Sequence, residues 1–284
     1  MARHVLTGAL LAFAACASRA PAIEPLGSGY RFTPGDVLRF RVESRLDVDM
    51  EGTHPAFLLK GMTRPLAWDL EGEFDNLVLD VDESGDAQIE RRVSHLRSSG
   101  HYLDEKFGVT WSRDNDKTVS ESGKLKSQMD QYVARMIDSP LSGRIDVEGN
   151  TTLAAPVPSR LIVRQGMMYW PIPKDKIAWH SHDVMAVPIL HDKVELKFEN
   201  SIKEVSGGIA FIVAPVALKS GGEGATSFIV SGGAKAEFDV AAGRLKSLEL
   251  EIRIAFSGKG PVPGGGEGDV RGVATYRETQ RLVQ

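Results

Sequence analysis

Between Val37 and Met50, apolar and charged residues take turns along the chain. Leu38, Phe40, Val42, Leu46, Val48 and Met50 share one face, and Arg39, Arg41, Glu43, Arg45, Asp47 and Asp49 share the other. A period of two with one charged face predicts an antiparallel strand packed on one side and wet on the other. The pattern returns at 192–203, where Val194, Leu196, Phe198 and Ile202 oppose Lys193, Glu195, Lys197 and Glu199. It returns again at 244–256, with Leu248, Leu250, Ile252, Ile254 and Phe256 against Glu249, Glu251 and Arg253. Long one-faced strands curl about their apolar side. The expected fold is therefore mainly β: long curled antiparallel sheet, half-barrel or barrel-like.

The links between these strands predict hairpins. Strands 68–81 and 87–97 meet through Asp82-Glu83-Ser84-Gly85-Asp86, and strands 234–240 and 244–256 through Ala241-Ala242-Gly243, with Gly85 and Gly243 where a tight turn wants a positive φ. One segment has a different period. In 124–138, Leu125, Met129, Tyr132, Val133, Met136 and Ile137 recur at three- and four-residue spacings, between Ser122 as a cap and Pro140 as a stop. This predicts one amphipathic helix covering the open end or concave side of the sheet. Pro156-Val157-Pro158-Ser159 separates a first β-rich unit, 24–155, which includes the helix, from a second, 160–284; two related units and one continuous curved sheet are the alternatives.

The first residues change where such a sheet is expected to work. MARHVLTGALLAFAACASRAP places Arg3 ahead of an apolar run, Val5 to Ala15, that ends in small residues. This reads as an export signal, taken as residues 1–17, and the run is too short for a permanent membrane helix. Two processing routes stay open. Phe13-Ala14-Ala15-Cys16 has the form of a lipobox, which would make Cys16 a lipid attachment point; Ala15-Cys16-Ala17 or Arg19-Ala20-Pro21-Ala22 suits ordinary cleavage. The expected location is extracytoplasmic: periplasm or outer membrane through a lipid anchor, otherwise secreted. Cys16 is the sole cysteine, so disulfides are excluded and core packing must hold the roughly 260 remaining residues together. A formal charge of −4 with no basic stripe argues against nucleic acid as a partner.

Candidate chemistry is sparse. Asp80-x-Asp82-x-Ser84-Gly85-Asp86 has the opening of a calcium loop, but Arg91 stands where a bidentate Glu is required, and a polar hairpin turn is the better reading. His180-x-His182-Asp183, with His191 near, is the densest group of metal-ligand types; on a strand, residues i and i+2 share a face. These four residues are the metal candidates and would centre a metal-dependent hydrolase. The competing reading makes them surface or structural groups. No G-x-S-x-G elbow, P-loop or dinucleotide fingerprint occurs, and no cofactor is implied. Acidic pairs such as Glu71/Glu73 and Glu249/Glu251 fall on wet faces. Around 167–179, Met168, Trp170 and Trp179 are expected either to rim a pocket or to seal one end of the sheet.

An exported precursor carrying Tyr30-Arg31-Phe32-x-x-Gly35-x-x-Leu38-Arg39-Phe40, Leu141-x-Gly143-Arg144-Ile145-Asp146-x-x-Gly149, the Pro171/Pro173/Trp179 segment and Glu237-Phe238-Asp239-x-x-x-Gly243-Arg244-Leu245 resembles the uncharacterised β-rich secreted proteins and lipoproteins of Gram-negative and planctomycete-type bacteria. These motifs are turn signatures, and the resemblance implies neither an activity nor a catalytic residue. In shape the chain is similar to periplasmic lipoprotein carriers, whose curled sheets enclose a lipid-accepting cavity. The function expected is a non-enzymatic envelope binding or structural module, holding an apolar ligand such as an acyl chain, with membrane association only through lipidated Cys16. The alternatives are the hydrolase centred on His180, His182, Asp183 and His191, and a purely structural component that contacts an envelope protein.

Overall fold

The computed structural model describes residues 23–52, 66–102, 105–113, 119–120, 141–153, 169–187, 192–221, 227–261 and 267–283. The strands are β1 (Val37–Gly52), β2 (Leu66–Val81), β3 (Ala87–Tyr102), β4 (Glu105–Ser112), β5 (Val119–Ser120), β6 (Leu141–Ile145), β7 (Thr151–Leu153), β8 (Ala178–Val187), β9 (Asp192–Ser206), β10 (Ile209–Gly221), β11 (Ser227–Asp239), β12 (Arg244–Pro261) and β13 (Glu267–Leu282). All belong to one sheet with the order β5-β4-β3-β2-β1-β13-β12-β11-β10-β9-β8, and β6 pairs with the start of β3 and with β7. Every pairing is antiparallel. Apart from the β3–β6 pairing, neighbours in the sheet are neighbours in the chain except at its centre, where β1 pairs with β13 from Phe40↔Leu282 to Gly52↔Val270.

The three alternating stretches form β1, β9 and β12, and their apolar faces are buried: Leu38, Phe40, Val42, Leu46, Val48 and Met50; Val194, Leu196, Phe198 and Ile202; Leu248, Leu250, Ile252, Ile254 and Phe256. Burying such a side chain contributes roughly 1.5–3 kcal/mol, so the face that goes inward is set by the pattern. Both expected hairpins form, β2–β3 and β11–β12, with Gly85 at φ 88° and Gly243 at φ 63°. The outer face carries cross-strand ion pairs, including Arg39–Asp75 at 2.7 Å and Arg41–Glu73 at 2.7 Å. The exposed Arg41–Glu73 pair adds little stability, whereas Asp75 is buried and is met by Arg113 as well as Arg39; both pairs match the register.

The sheet is strongly bent. The main-chain N–H of Ile172 bonds to Glu148 in the β6–β7 turn at 2.7 Å, while Trp170, two residues earlier, bonds through its indole to Asn200 on β9 at 2.8 Å. β6 and β9 lie eight steps apart in the strand order, about 38 Å in a flat sheet. Only a sheet folded over on its apolar face brings them together. Register shifts between Glu73 and Phe74, Val78 and Asp80, Phe211 and Ile212, Leu218 and Ser220, and Glu237 and Phe238 add the local twist that such bending uses.

Two expectations about architecture are corrected. The sheet does not close into a barrel: it is open, and its terminal strands β5 and β8 do not pair with each other. Alternation sets which face curls inward but carries no information on whether the last strand reaches the first; closure also requires matched shear and edge strands of usable length, and β5 spans Val119–Ser120 alone. No helix of any kind occurs among the described residues, and the segment 124–138 lies outside them. The covering role assigned to a helix is performed, at one end of the sheet, by extended and turn segments.

Candidate functional site

The concave inner face is the candidate site, and its closed end is built from three stretches without regular structure. Residues 27–31 run across the strand ends: Gly27 N–H bonds to Lys174 O at 2.8 Å, Tyr30 N–H to Val147 O at 2.7 Å and Arg31 N–H to Gly243 O at 3.0 Å. The β6–β7 turn and residues 169–173 complete the seal. Tyr30 sits at their junction, where its hydroxyl donates to Trp170 O at 2.9 Å and accepts from Trp170 N–H at 3.2 Å. Its ring meets Phe238 and Tyr169 edge-on at 5.1 and 5.3 Å, and Tyr169 also meets Phe40 at 6.1 Å. The Tyr30 hydroxyl is satisfied by the Trp170 backbone and the rings pack edge to face, so the cluster is a wall rather than an opening.

Tyr169 is wholly buried, and burial pushes its hydroxyl well above the ordinary tyrosine range, partly offset by the neighbouring Asn76 amide and by the guanidiniums of Arg91 and Arg244. The Arg91 guanidinium lies 4.2 Å from the centre of the Phe74 ring, a cation–π contact on the inner side of β2 and β3. The phenol stays neutral, and its ring packs in the wall against Tyr30 and Phe40.

Beyond this wall the inner face is apolar from strand to strand. Phe107, Val109 and Trp111 on β4, Leu66, Trp68 and Leu70 on β2, Phe228 on β11 and Met185 on β8 all belong to one core cluster. Polar groups interrupt it on β13, whose inward positions are Val270, Ala274, Tyr276, Glu278 and Gln280. Tyr276 is 2% exposed, Glu278 7% and Gln280 0%. Tyr276 Oη donates to Glu278 Oε2 at 2.5 Å. Ser44 of β1 stands opposite Glu278, with Leu250 of β12 on the other side. Nearby, the Trp68 indole donates to Ser98 Oγ at 2.5 Å. A depression of about 460 Å³ is lined by the outward residues Glu43, Arg45, Asp69, Glu71, Arg97 and Arg277 and also by Ser44, Leu70 and Glu278 between them; charges of both signs alternate there and no single-signed field arises.

The residues singled out from sequence fall in separate places. His180 and His182 share the outer face of β8 and are exposed; His180 stands across from Glu199, and His182 across from Lys197. Asp183, the intervening position in the pleat, is directed to the opposite side, and its carboxylate accepts the N–H of Val184 at 2.8 Å. His191 lies outside the described residues. No group of three or more His, Cys, Asp or Glu placed to hold a metal occurs among those that are described. Trp170 and Trp179 are buried at the closed end, with the Trp170 indole on Asn200 and the Trp179 indole on Pro171 O at 2.8 Å. Met168 and Cys16 lie outside the described residues.

The Asp80–Asp86 stretch forms the turn between β2 and β3. Asp82 Oδ1 accepts the N–H groups of Ser84 and Asp86 at 2.9 and 3.1 Å, and Arg144 pairs with Asp82 and Asp86. The Asp82 carboxyl is held below the usual range, chiefly by the Ser84 hydroxyl and further by the two backbone N–H groups and Arg144.

Sequence reading passed over Tyr276, Glu278 and Gln280. Arg271, Thr275, Arg277, Thr279 and Arg281 alternate with Ala274, Tyr276 and Leu282, which marks a strand, but Glu and Gln at the inward positions break the apolar period. That break is itself the signal: polar residues recurring at inward spacing in a β-rich chain mark buried polar groups.

No protein-family model and no curated protein matches this chain. Among solved structures it is similar to one of lipovitellin, a study of lipid–protein interactions in that protein, with a TM-score of 0.47 and 12% identity over 89% of this chain and 26% of that one. The chain thus spans about a quarter of the lipovitellin chain it matches, and the likeness is a distant one between β-rich folds.

Proposed function

We propose that this protein is a non-enzymatic, extracytoplasmic binding module whose curled sheet receives an apolar ligand, such as an acyl chain, against its inner face. The observation that carries the reading is the composition of that face: it is predominantly apolar from β4 round to β8 with a few buried polar groups, and it is walled at one end by the Tyr30–Tyr169–Phe238 cluster. A concave apolar surface with few placed polar groups is the usual form of a small-molecule site. The export signal and Cys16 support placement in the envelope, by a lipid anchor if Cys16 is acylated and in soluble form otherwise.

Two measurements test this. Solvent extraction and mass spectrometry of protein purified from its native host are expected to find stoichiometric copurifying lipid; a lipid-free protein that also fails to take up acyl-chain probes would sink the proposal. Intact-mass analysis of the mature N-terminus in a membrane fraction is expected to show a diacylated Cys16. A chain starting after Ala17 or Ala22 would remove the anchor and leave the soluble form.

A further inference from the structure

We infer that Tyr276 and Glu278 form a polar anchor inside the sheet for the protonated amine headgroup of a single-chain amphiphile. This rests on the binding reading above and specifies the ligand it takes.

The inference starts from a carboxyl group in an apolar place. Glu278 is 7% exposed on the central strand of the sheet, between Leu250 on β12 and Ser44 on β1. Its Oε2 accepts from Tyr276, and among the described residues no Lys or Arg pairs with it. Removing a carboxylate from water costs several kcal/mol unless a countercharge or donors replace the lost hydration. One tyrosine hydroxyl supplies one donor, and Oε1 retains its acceptor capacity. The fold thus holds a buried acceptor whose natural complement is a cation.

The row of side chains that carries Glu278 is mixed in size. The inward positions of β11 read Phe228, Val230, Gly232, Ala234, Ala236 and Phe238, so bulky rings stand at both ends and the smallest residues lie in between. The row through Glu278 continues across Leu250 to Ala234 and then Ala214 on β10, and on its other side across Ser44. Ser44 and Leu250 therefore flank the carboxyl directly, the small Ala234 and Ala214 follow beyond Leu250, and apolar side chains lie along the strands on either side of it. An alkyl chain lying along the apolar strands would bring a terminal ammonium to Glu278 Oε1, with Tyr276 holding the other oxygen in place. A fatty acid placed the same way would set two carboxylates against each other.

The test compares three probes of equal chain length, decylamine, decanol and decanoic acid, titrated into the full mature chain by calorimetry. The wild type is expected to bind decylamine about tenfold or more tightly than decanol, the effect of one charge-assisted hydrogen bond, and decanoic acid weakest. Glu278→Gln keeps the shape and is expected to abolish the preference for amine over alcohol while leaving decanol affinity within about twofold. Tyr276→Phe is expected to weaken the preference in part, and it serves as the decisive variant if Glu278→Gln does not unfold cooperatively. Equal binding of amine and alcohol by the wild type, or a preference that survives both substitutions, overturns the anchor and leaves the apolar-ligand reading standing. If no probe binds, that broader reading falls as well.

Discussion

Two turns in this molecule share one local design and differ in where the fold puts them. Asp82-Glu83-Ser84-Gly85-Asp86 and Asp146-Val147-Glu148-Gly149-Asn150 each begin with an Asp whose Oδ1 accepts two backbone N–H groups, from the second and fourth residues after it. Each has a glycine with positive φ, 88° at Gly85 and 84° at Gly149. The first projects into solvent, and its second carboxylate oxygen is met by Arg144. The second is lodged in the wall of the closed end: Val147 O takes the N–H of Tyr30, Glu148 O takes the N–H of Ile172, and the Asp146 Oδ2 is met by Asn150 at 2.8 Å. Local chemistry makes both turns. Tertiary packing gives only one of them a part in shaping the site.

The largest expected effect lies at Gly149. A Cβ there would stand 2.4 Å from the Tyr30 ring and 2.7 Å from Trp170 O, one of them backbone, in addition to the left-handed strain. Gly149→Ala is expected to destabilise by about 3 kcal/mol or more. At Gly85 the φ is equivalent, but the close neighbour is the rotatable Val147 Cγ1 at 2.9 Å. Gly85→Ala is therefore expected to cost about 1–2 kcal/mol. Urea unfolding of both variants checks the gap; equal losses would mean that the closed end is no more tightly packed than the exposed turn.

Next in size is Tyr30→Phe, which keeps the ring and removes the hydroxyl that serves both the N–H and the C=O of Trp170. Leaving buried backbone groups without that partner is expected to cost about 1–3 kcal/mol. A variant as stable as the wild type would show that the ring packing alone holds the wall.

The smallest effect separates the turns by acid. Asp82 has a folded-state carboxyl pKa lowered by the Ser84 hydroxyl, two backbone N–H groups and Arg144. A lowered pKa contributes stability above the unfolded-state value, and that stability is lost as pH falls through the folded-state value. The unfolding midpoint of the wild type is thus expected to drop more steeply below pH about 4 than that of Asp82→Ala. Identical acid limbs would assign the turn's stability to its backbone alone.

The same division between local and tertiary causes explains what could be read from the chain. The strands at 37–50, 192–203 and 244–256, their inward faces and the turns at Gly85 and Gly243 were legible, because alternation and turn chemistry act over a few residues. β13 was less so: Tyr276, Glu278 and Gln280 interrupt its apolar face, which signals buried polar groups but obscures the period that marks the face. β10 reads apolar on both faces at Ile209-Ala210-Phe211-Ile212-Val213-Ala214, so its period is obscured. The two aromatic residues Trp170 and Trp179 stood out as sealing or rimming groups, but their partners, Asn200 and Pro171 O, come from pairings that only the fold creates.

By itself, then, the amino-acid sequence determined a β-rich chain with a single cysteine and so no internal disulfide, with one-faced strands joined by hairpins, since these follow from composition and short-range periodicity. Tertiary structure decided that β1 and β13 meet at the centre of one open sheet, that coil segments and not a helix wall its closed end among the described residues, and that Glu278 is enclosed beside Tyr276. Each of these depends on contacts between residues far apart in the chain. Their free energies depend on curvature and enclosure, quantities that exist only once the strands have assembled.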